Sequence, residues 1–267
     1  MPSIVFLVAG LSSRFNGKIK QFAEVGLEGE TLIEVSMKQA KNAGFEKFVF
    51  VVGEKTEAPF KEKFGNEFQG VPIEYAKQDF DKEKRDKPWG TTDAVVSAKE
   101  FVGNKFVLCN GDDIYGKKAL ENARTYLEEK GNVIVGFNLI DTLPEKGKNN
   151  RGIIETNEEG FVKDIKEVFD IEKNKLEEKG LSETSLSNAN LIGLEKNVLL
   201  LLEEKLIDFK KKKLESRTVE CLLPIELSNL IKEKKIKLEL VKSEESFFGV
   251  TNPEDEEKVR ELLKQKN

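Results

Sequence analysis

The 267-residue chain contains no histidine. That excludes a Ser-His-Asp triad, a histidine zinc site and a histidine general base, so chemistry here must run on carboxylates, lysine, arginine, backbone donors or a bound metal. Cysteine is scarce as well: Cys109 and Cys221 stand far apart, with neither a disulfide framework nor metal spacing. Cys109 follows the apolar run Phe106-Val107-Leu108 and reads as a buried strand residue, and a reducing compartment is the simpler setting. No apolar stretch approaches the roughly 18 residues a membrane span needs. The start Met1-Pro2-Ser3-Ile4 lacks the basic opening of a signal peptide, so the expected location is cytoplasmic. Nor does one charge dominate: 44 basic and 49 acidic residues leave a net −5, and nucleic acid is not an expected partner.

What is present is a repeating pattern. Residues 4–9 form a continuous apolar run, as in a strand covered on both faces. Helical spacing over 30–43 ends at Gly44, and a strand follows over 47–52. The same reading gives a helix over 58–68, a short strand over 73–76, a helix over 91–101 and a strand over 105–109. A helix over 117–130 and a strand over 132–139 complete the first half. Repeated βα units of this length predict an α/β fold: a Rossmann-like three-layer α/β/α arrangement around a mainly parallel, mixed sheet.

The second half changes character. Residues 152–156 and 161–167 read as a hairpin around Asn157-Glu158-Glu159-Gly160. The charged, weakly periodic stretch 169–187 reads as a mobile excursion. A strand over 188–194, helices over 198–209 and 220–232, a strand over 237–241 and a last helix capped by Asn252-Pro253-Glu254-Asp255 follow. Pro224 falls in the first turn of its helix, where proline is tolerated. With no Pro/Gly/Ser linker and no internal repeat, a single domain over 1–267 is expected.

Ligands of open parallel sheets bind at the carboxyl ends of strands. The first such edge reads Ala9-Gly10-Leu11-Ser12-Ser13-Arg14-Phe15. Gly10 permits a tight turn, Ser12 and Ser13 offer hydroxyl and N–H groups, and Arg14 can clamp a phosphate. The loop is not a Walker A motif, because six residues separate Gly10 from Gly17 and Ile19 follows Lys18. It also lacks the three clustered glycines of a dinucleotide fingerprint. Lys87-Pro88-Trp89-Gly90-Thr91-Thr92-Asp93-Ala94 is a turn into a helix whose N-terminus favours anions. Arg85 and Lys87 are weaker phosphate candidates. Asn110-Gly111-Asp112-Asp113 puts paired carboxylates at the end of a strand, an arrangement that calls for a cation or water. Asp113 is alternatively a cap of the turn or of the next helix.

Leu11-Ser12-Ser13-Arg14-Phe15 followed by Lys20-Gln21-Phe22-Ala23-Glu24-Val25 resembles the sugar-phosphate nucleotidyltransferase family, with its GT-A-like fold, and a divergent subgroup of it; Ser12 replaces the second loop glycine. The resemblance implies transfer of NMP from an NTP to a phosphorylated small molecule, a sugar 1-phosphate above all, with release of pyrophosphate. It implies Arg14 and Lys20 as catalytic residues. It implies nucleotide binding by Ala9, Gly10, Ser12, Ser13, Gln78, Gly90 and Thr91, Mg²⁺ on Asp112, and acceptor binding near Asn190 and Glu167. Residues 1–140 would then be the nucleotide half and 141–267 the acceptor half. A homo-oligomer stays open.

Two positions leave the pattern. The family's late metal-binding Asp falls on Gly249, and its Lys after the hairpin glutamate falls on Val168. A glycosyltransferase using a preformed nucleotide sugar and a non-catalytic nucleotide-binding domain are the alternatives that these departures leave standing. The nucleobase and the acceptor are not legible.

Overall fold

The structure is a computed structural model that describes residues 1–10, 15, 18–144, 147–250 and 255–266. Its first half is built of β1 (Ser3–Leu7), α1 (Leu32–Asn42), β2 (Lys47–Val52), α2 (Glu54–Phe64), β3 (Glu67–Phe68), β4 (Val71–Lys77), α3 (Thr91–Ser97), β5 (Lys105–Asn110), β6 (Asp113–Ile114), α4 (Lys117–Lys130) and β7 (Val133–Asn138). The second half adds β8 (Asn149–Thr156), β9 (Val162–Ile171), β10 (Leu186–Glu195), α5 (Lys196–Lys212), α6 (Leu223–Lys232), β11 (Glu239–Lys242), β12 (Phe248–Gly249) and α7 (Asp255–Lys266).

One sheet takes strands from both halves, in the order β11-β7-β10-β5-β1-β2-β4-β3, with the β8–β9 hairpin joined to β10. β1 runs parallel to β2 and β5, while β10 lies antiparallel between β5 and β7. The mainly parallel, mixed sheet expected from the sequence is therefore present. Both faces are covered, which is why the strands read as unbroken apolar runs. Along β1, Ile4 and Phe6 join one core with α1, α2 and α4, while Val5 joins the other with α3, α5 and α6. All of these side chains are buried.

Strand order reverses at β1: β2 and β4 lie on one side of it and β5 on the other. A crevice opens at the carboxyl ends of strands where such a reversal occurs. The register puts Leu7 opposite both Val51 and Asn110, so the segments leaving β1 and β5 emerge side by side.

Three expectations need correction. The helix expected over 58–68 runs from Glu54 to Phe64. The Thr56 hydroxyl accepts the Gly53 N–H at 3.0 Å and starts the helix early, and Gly65 at φ 56° ends it before β3. The hairpin is longer than expected, reaching Asn149 on one strand and Ile171 on the other. The stretch 169–187 is not a free excursion: Ile171 and Leu176 pack with Leu139, Leu143 and Ile153 in a small apolar cluster, and Leu139 N–H bonds Ser185 O at 2.7 Å. Its charged residues are the solvated side of that packing. The cap at residues 252–254 lies outside the described residues. No helix among the described residues is long and apolar enough to cross a membrane, and both cysteines are buried free thiols.

Candidate functional site

The crevice beside β1 holds most of the residues singled out from the sequence. A cavity of about 350 Å³ is lined by Ala9, Gly10, Gln21, Gln78, Gly90, Thr91 and Asp112, among others. Segments that lie far apart in the chain converge there. Ser12, Ser13 and Arg14 lie outside the described residues.

Lys20 opens a short 3-10 turn, Lys20–Phe22, and its Nζ forms an ion pair with the Asp112 carboxylate. Asp112 reaches it because of Gly111. The Gly111 N–H bonds Leu7 O at 3.0 Å, and a Cβ on Gly111 would fall 2.3 Å from Val8 Cγ1. Only glycine lets the turn after β5 lie this close on the end of β1. Gly10 lines the same cavity with open space where a Cβ would stand, and its φ is not in the left-handed region. Close ligand approach, rather than turn geometry, is what its missing side chain permits.

The opposite wall is a braced turn. Gly90 adopts φ 99°, and its carbonyl accepts the Gln78 side-chain N–H at 3.0 Å. The second Gln78 amide hydrogen goes to Asp93 at 2.9 Å. A carbonyl and a carboxylate only accept, so these partners fix the amide's orientation. The residue-89–92 segment is tied to the stretch before α6: Cys221 N–H bonds Trp89 O at 2.7 Å, and Thr92 N–H bonds Cys221 O at 3.1 Å. The Thr91 hydroxyl accepts Leu223 N–H at 2.9 Å. Arg85 does not reach a phosphate. Its guanidinium stacks 3.5 Å from the Trp89 ring centroid and donates to the carbonyls of Lys87, Ser216 and Val219. Trp89 is thereby packing, edge-on to Phe209 as well. Lys87 lines the cavity in an ion pair with Glu220 at 2.7 Å.

Asp113 caps nothing. It sits in β6, buried, with its carboxylate accepting from Asn110 Nδ2 at 2.8 Å and from the Tyr115 hydroxyl at 3.4 Å. Burial, and then the charge of Asp112, pushes its carboxyl up to about 6. Gly249 pairs with Asp113 across β12 and β6, and a Cβ at Gly249 would stand 2.8 Å from Asp113 Oδ1. The space that an aspartate at 249 would need is already taken by the Asp113 carboxylate.

The expected acceptor residues lie on the far side of this pair. Asn190, at φ 60°, donates from Nδ2 to Asn110 Oδ1 at 3.2 Å and receives Asn188 Nδ2 at 3.1 Å. Glu167 pairs with Gly152, and its Oε2 lies 3.5 Å from where a Gly152 Cβ would be, next to Asn188. Burial raises the Glu167 carboxyl, and the Arg151 charge acts against that rise.

The sequence reading missed two residues. Gln21 is buried against the first cavity, and its Oε1 has no hydrogen-bond partner. Arg151 lies directly opposite Val168 in the hairpin and in electrostatic reach of Asp113, Asp112 and Glu167. An arginine just before the expected strand was the available signal, but that strand was started at residue 152, three residues too late.

The family profile described as nucleotidyl transferase matches residues 16–220. No curated protein matches the sequence. Among solved structures, the chain is similar to a protein assigned as a glucose-1-phosphate thymidylyltransferase from Bacillus anthracis, at 16% identity and TM-score 0.73 over 100% of this chain and 97% of that one. It is also similar to the inositol-1-phosphate CTP transferase from T. maritima, at 18% identity and TM-score 0.70 over 99% and 95% of the two chains. A UDP-glucose pyrophosphorylase from Acinetobacter baumannii matches at 18% identity and TM-score 0.67 over 97% and 92%. At these identities the likeness establishes the fold.

Proposed function

The chain belongs to the nucleotidyl transferase family, and on that premise we propose that it transfers NMP from an NTP to a phosphorylated small molecule, a sugar 1-phosphate first among the candidates. Solved structures of the same fold include proteins named for glucose 1-phosphate and inositol 1-phosphate, which supports that acceptor class. The observation that carries the reading is the Lys20–Asp112 ion pair, whose Asp112 lines the 350 Å³ cavity together with Gln78 and Gly90.

An oxygen of the acceptor phosphate forms a bond to the α-phosphorus of the NTP, the bond from that phosphorus to the β-bridging oxygen breaks, and pyrophosphate leaves. A phosphate nucleophile is already anionic at neutral pH, so a chain without histidine lacks nothing for this reaction. Lys20 and Asp112 form an ion pair. With a triphosphate bound, Lys20 turns to the α- and β-phosphate oxygens and stabilises the charge that builds there. Arg14 would share that role. Gln78, with both amide hydrogens committed to Gly90 and Asp93, offers its carbonyl oxygen to an N–H of the base.

Asp112 would hold Mg²⁺. Among the described residues no three metal-ligating side chains converge. That donor set suits an ion which takes one or two carboxylates and fills its shell with phosphate oxygens and water. An ion held there would supply positive charge to the phosphate oxygens. Two buried free thiols fit a reducing cytoplasm.

A pyrophosphate-release screen of four NTPs against phosphorylated acceptors tests the reading, with nucleotide sugars as the control for glycosyl transfer. Lys20→Ala and Asp112→Ala should each lower kcat about 10²–10³-fold, as for loss of a charge-stabilising donor. Near-wild-type turnover in both variants would discard the assignment.

A further inference from the structure

A second cavity, of about 290 Å³, lies beyond Asp113. Thr142, Leu143, Arg151, Lys173, Phe247 and Gly249 are among the residues that line it, and none of its lining residues lines the nucleotide cavity. Asp112 lines the first, and the next residue, Asp113, pairs with Gly249 on the wall of the second. Its volume is at the low end of ligand cavities, roughly 300–1,000 Å³, which suits a compact molecule.

Arg151 is the unusual group in it. NH1 donates to Asn150 O at 3.1 Å and NH2 to Thr142 O at 2.5 Å, so two backbone carbonyls fix the plane of the fork. Nε is sealed from solvent without a hydrogen-bond partner. Asp113, Asp112 and Glu167 all act on the guanidinium, yet no carboxylate among the described residues lies within ion-pairing distance of it. A guanidinium has five N–H donors in a fixed fork that matches phosphate. Holding that charge half-buried with no ion-pair partner among the described residues is unfavourable for a purely structural arginine. The arrangement fits a cation held ready for an anion that comes and goes, with Lys173 on the same wall.

We propose that Arg151 anchors the phosphate monoester of the acceptor in this second cavity, directing it toward the α-phosphorus across Asp113. This rests on the transfer reading. A dianionic phosphate would take the free N–H groups of the fork, and a hexose or polyol body would fill the remaining space. Arg151 is a binding and positioning residue for the acceptor.

The test uses Arg151→Met, which keeps the stem and removes the charge, and Arg151→Lys, which keeps the charge and removes the fork. Steady-state kinetics gives KM for NTP and acceptor separately. Calorimetry measures inorganic phosphate binding to protein saturated with a non-hydrolysable NTP. Arg151→Met should raise the acceptor KM roughly 30–100-fold and abolish phosphate binding, as for removal of one partner of a buried charge-assisted pair. The NTP KM should stay within about twofold, and Arg151→Lys should recover part of the loss. Should Arg151→Met not fold, Arg151→Lys carries the same readouts, with about a tenfold rise in acceptor KM expected.

Melting temperature falling while phosphate affinity is unchanged would make Arg151 a brace for the Thr142 turn and overturn the proposal. A shifted kcat–pH profile at constant acceptor KM would reduce it to a counter-charge for Asp113 and overturn it likewise. Turnover indifferent to Arg151 removes the site and leaves the transfer reading intact. Arg151-dependent phosphate binding in a protein that turns over no phosphorylated acceptor keeps the site and removes the transfer reading.

Discussion

The two walls of the crevice are built on different physics. The wall proposed for the nucleotide is largely backbone: the Gly90 carbonyl, the Trp89 carbonyl and the Thr91 hydroxyl are each tied to a defined partner from Gln78, Cys221 or Leu223. Its shape is set before any ligand arrives. The wall proposed for the acceptor is made of side-chain charge. Arg151 is half-buried, its Nε sealed without a hydrogen-bond partner, Asp113 is pushed up to about 6, and burial raises Glu167. Preformed backbone suits a ligand group common to every reaction of this type, while unbalanced charge suits a group that must be told apart from others by its own charge. Substitutions on the two sides should therefore separate cleanly in the two KM values.

The largest effect on stability is expected on the backbone side. Gly90 at φ 99° sits in a region other residues avoid, and a Cβ there would lie 2.7 Å from Cys221 O and 2.9 Å from Cys221 N. Both neighbours are backbone held by hydrogen bonds, so they have little room to give. Gly90→Ala should cost about 2–4 kcal/mol from strain and overpacking together. The NTP KM should rise about tenfold, with the acceptor KM within twofold, for a displaced contact worth roughly 1.4 kcal/mol. A destabilised variant with unchanged NTP KM would show that this turn is not the nucleotide wall.

The next effect distinguishes charge from shape on the acceptor side. The folded-state Asp113 carboxyl titrates at about 6, above its unfolded value near 3.9. Between those values the folded protein binds the extra proton, so Asp113 lowers stability progressively as pH rises through that window. Asp113→Asn keeps the acceptor oxygen for Asn110 and removes the charge. It should stabilise the fold by about 1–3 kcal/mol at pH 7, with the gain fading toward pH 4. Urea unfolding at three pH values checks this. A loss of stability at pH 7 would mean that Arg151 and Lys20 more than offset the cost of burying the carboxylate.

The same division decides what could be read from the sequence. Strands covered on both faces announce themselves as apolar runs, so Lys47–Val52 is legible to the residue, as is helix Lys117–Lys130 between its two glycines. Gln78, Gly90 and Asp112 were singled out chiefly through the family resemblance, and strand order gathers them at one edge. The start of α2 was not legible, because a threonine three residues past Gly53 supplies the cap. Ile171 and Leu176 were hidden among charges, since two apolar residues suffice when they meet an existing cluster. Arg151 was lost for a different reason: its significance depends on cross-strand register with Val168 and on the Thr142 carbonyl, neither of which is local in sequence. The swap of carboxylate space between Gly249 and Asp113 likewise exists only across two paired strands.

The smallest expected effect isolates one amide within the acceptor wall. Asn190 holds φ 60° where β10 shifts register against β7, and its side chain links Asn188 to Asn110, which in turn supports Asp113. Asn190→Gly relieves the left-handed strain and removes the amide link. Asn190→Ala removes the link but keeps the strain. The backbone bond from Asn190 N–H to Asn188 Oδ1, at 2.8 Å, survives in both. The glycine variant should therefore stay within about 1 kcal/mol of wild type, and the alanine variant should fall about 1 kcal/mol below it. If the amide network positions Asn110 and Asp113 for the acceptor, both variants should raise the acceptor KM by a similar factor, about three- to tenfold for a hydrogen bond of this kind, despite their different stabilities. If the acceptor KM instead follows stability, rising for alanine and not for glycine, Asn190 serves the bend of β10 and the amide has no part in binding.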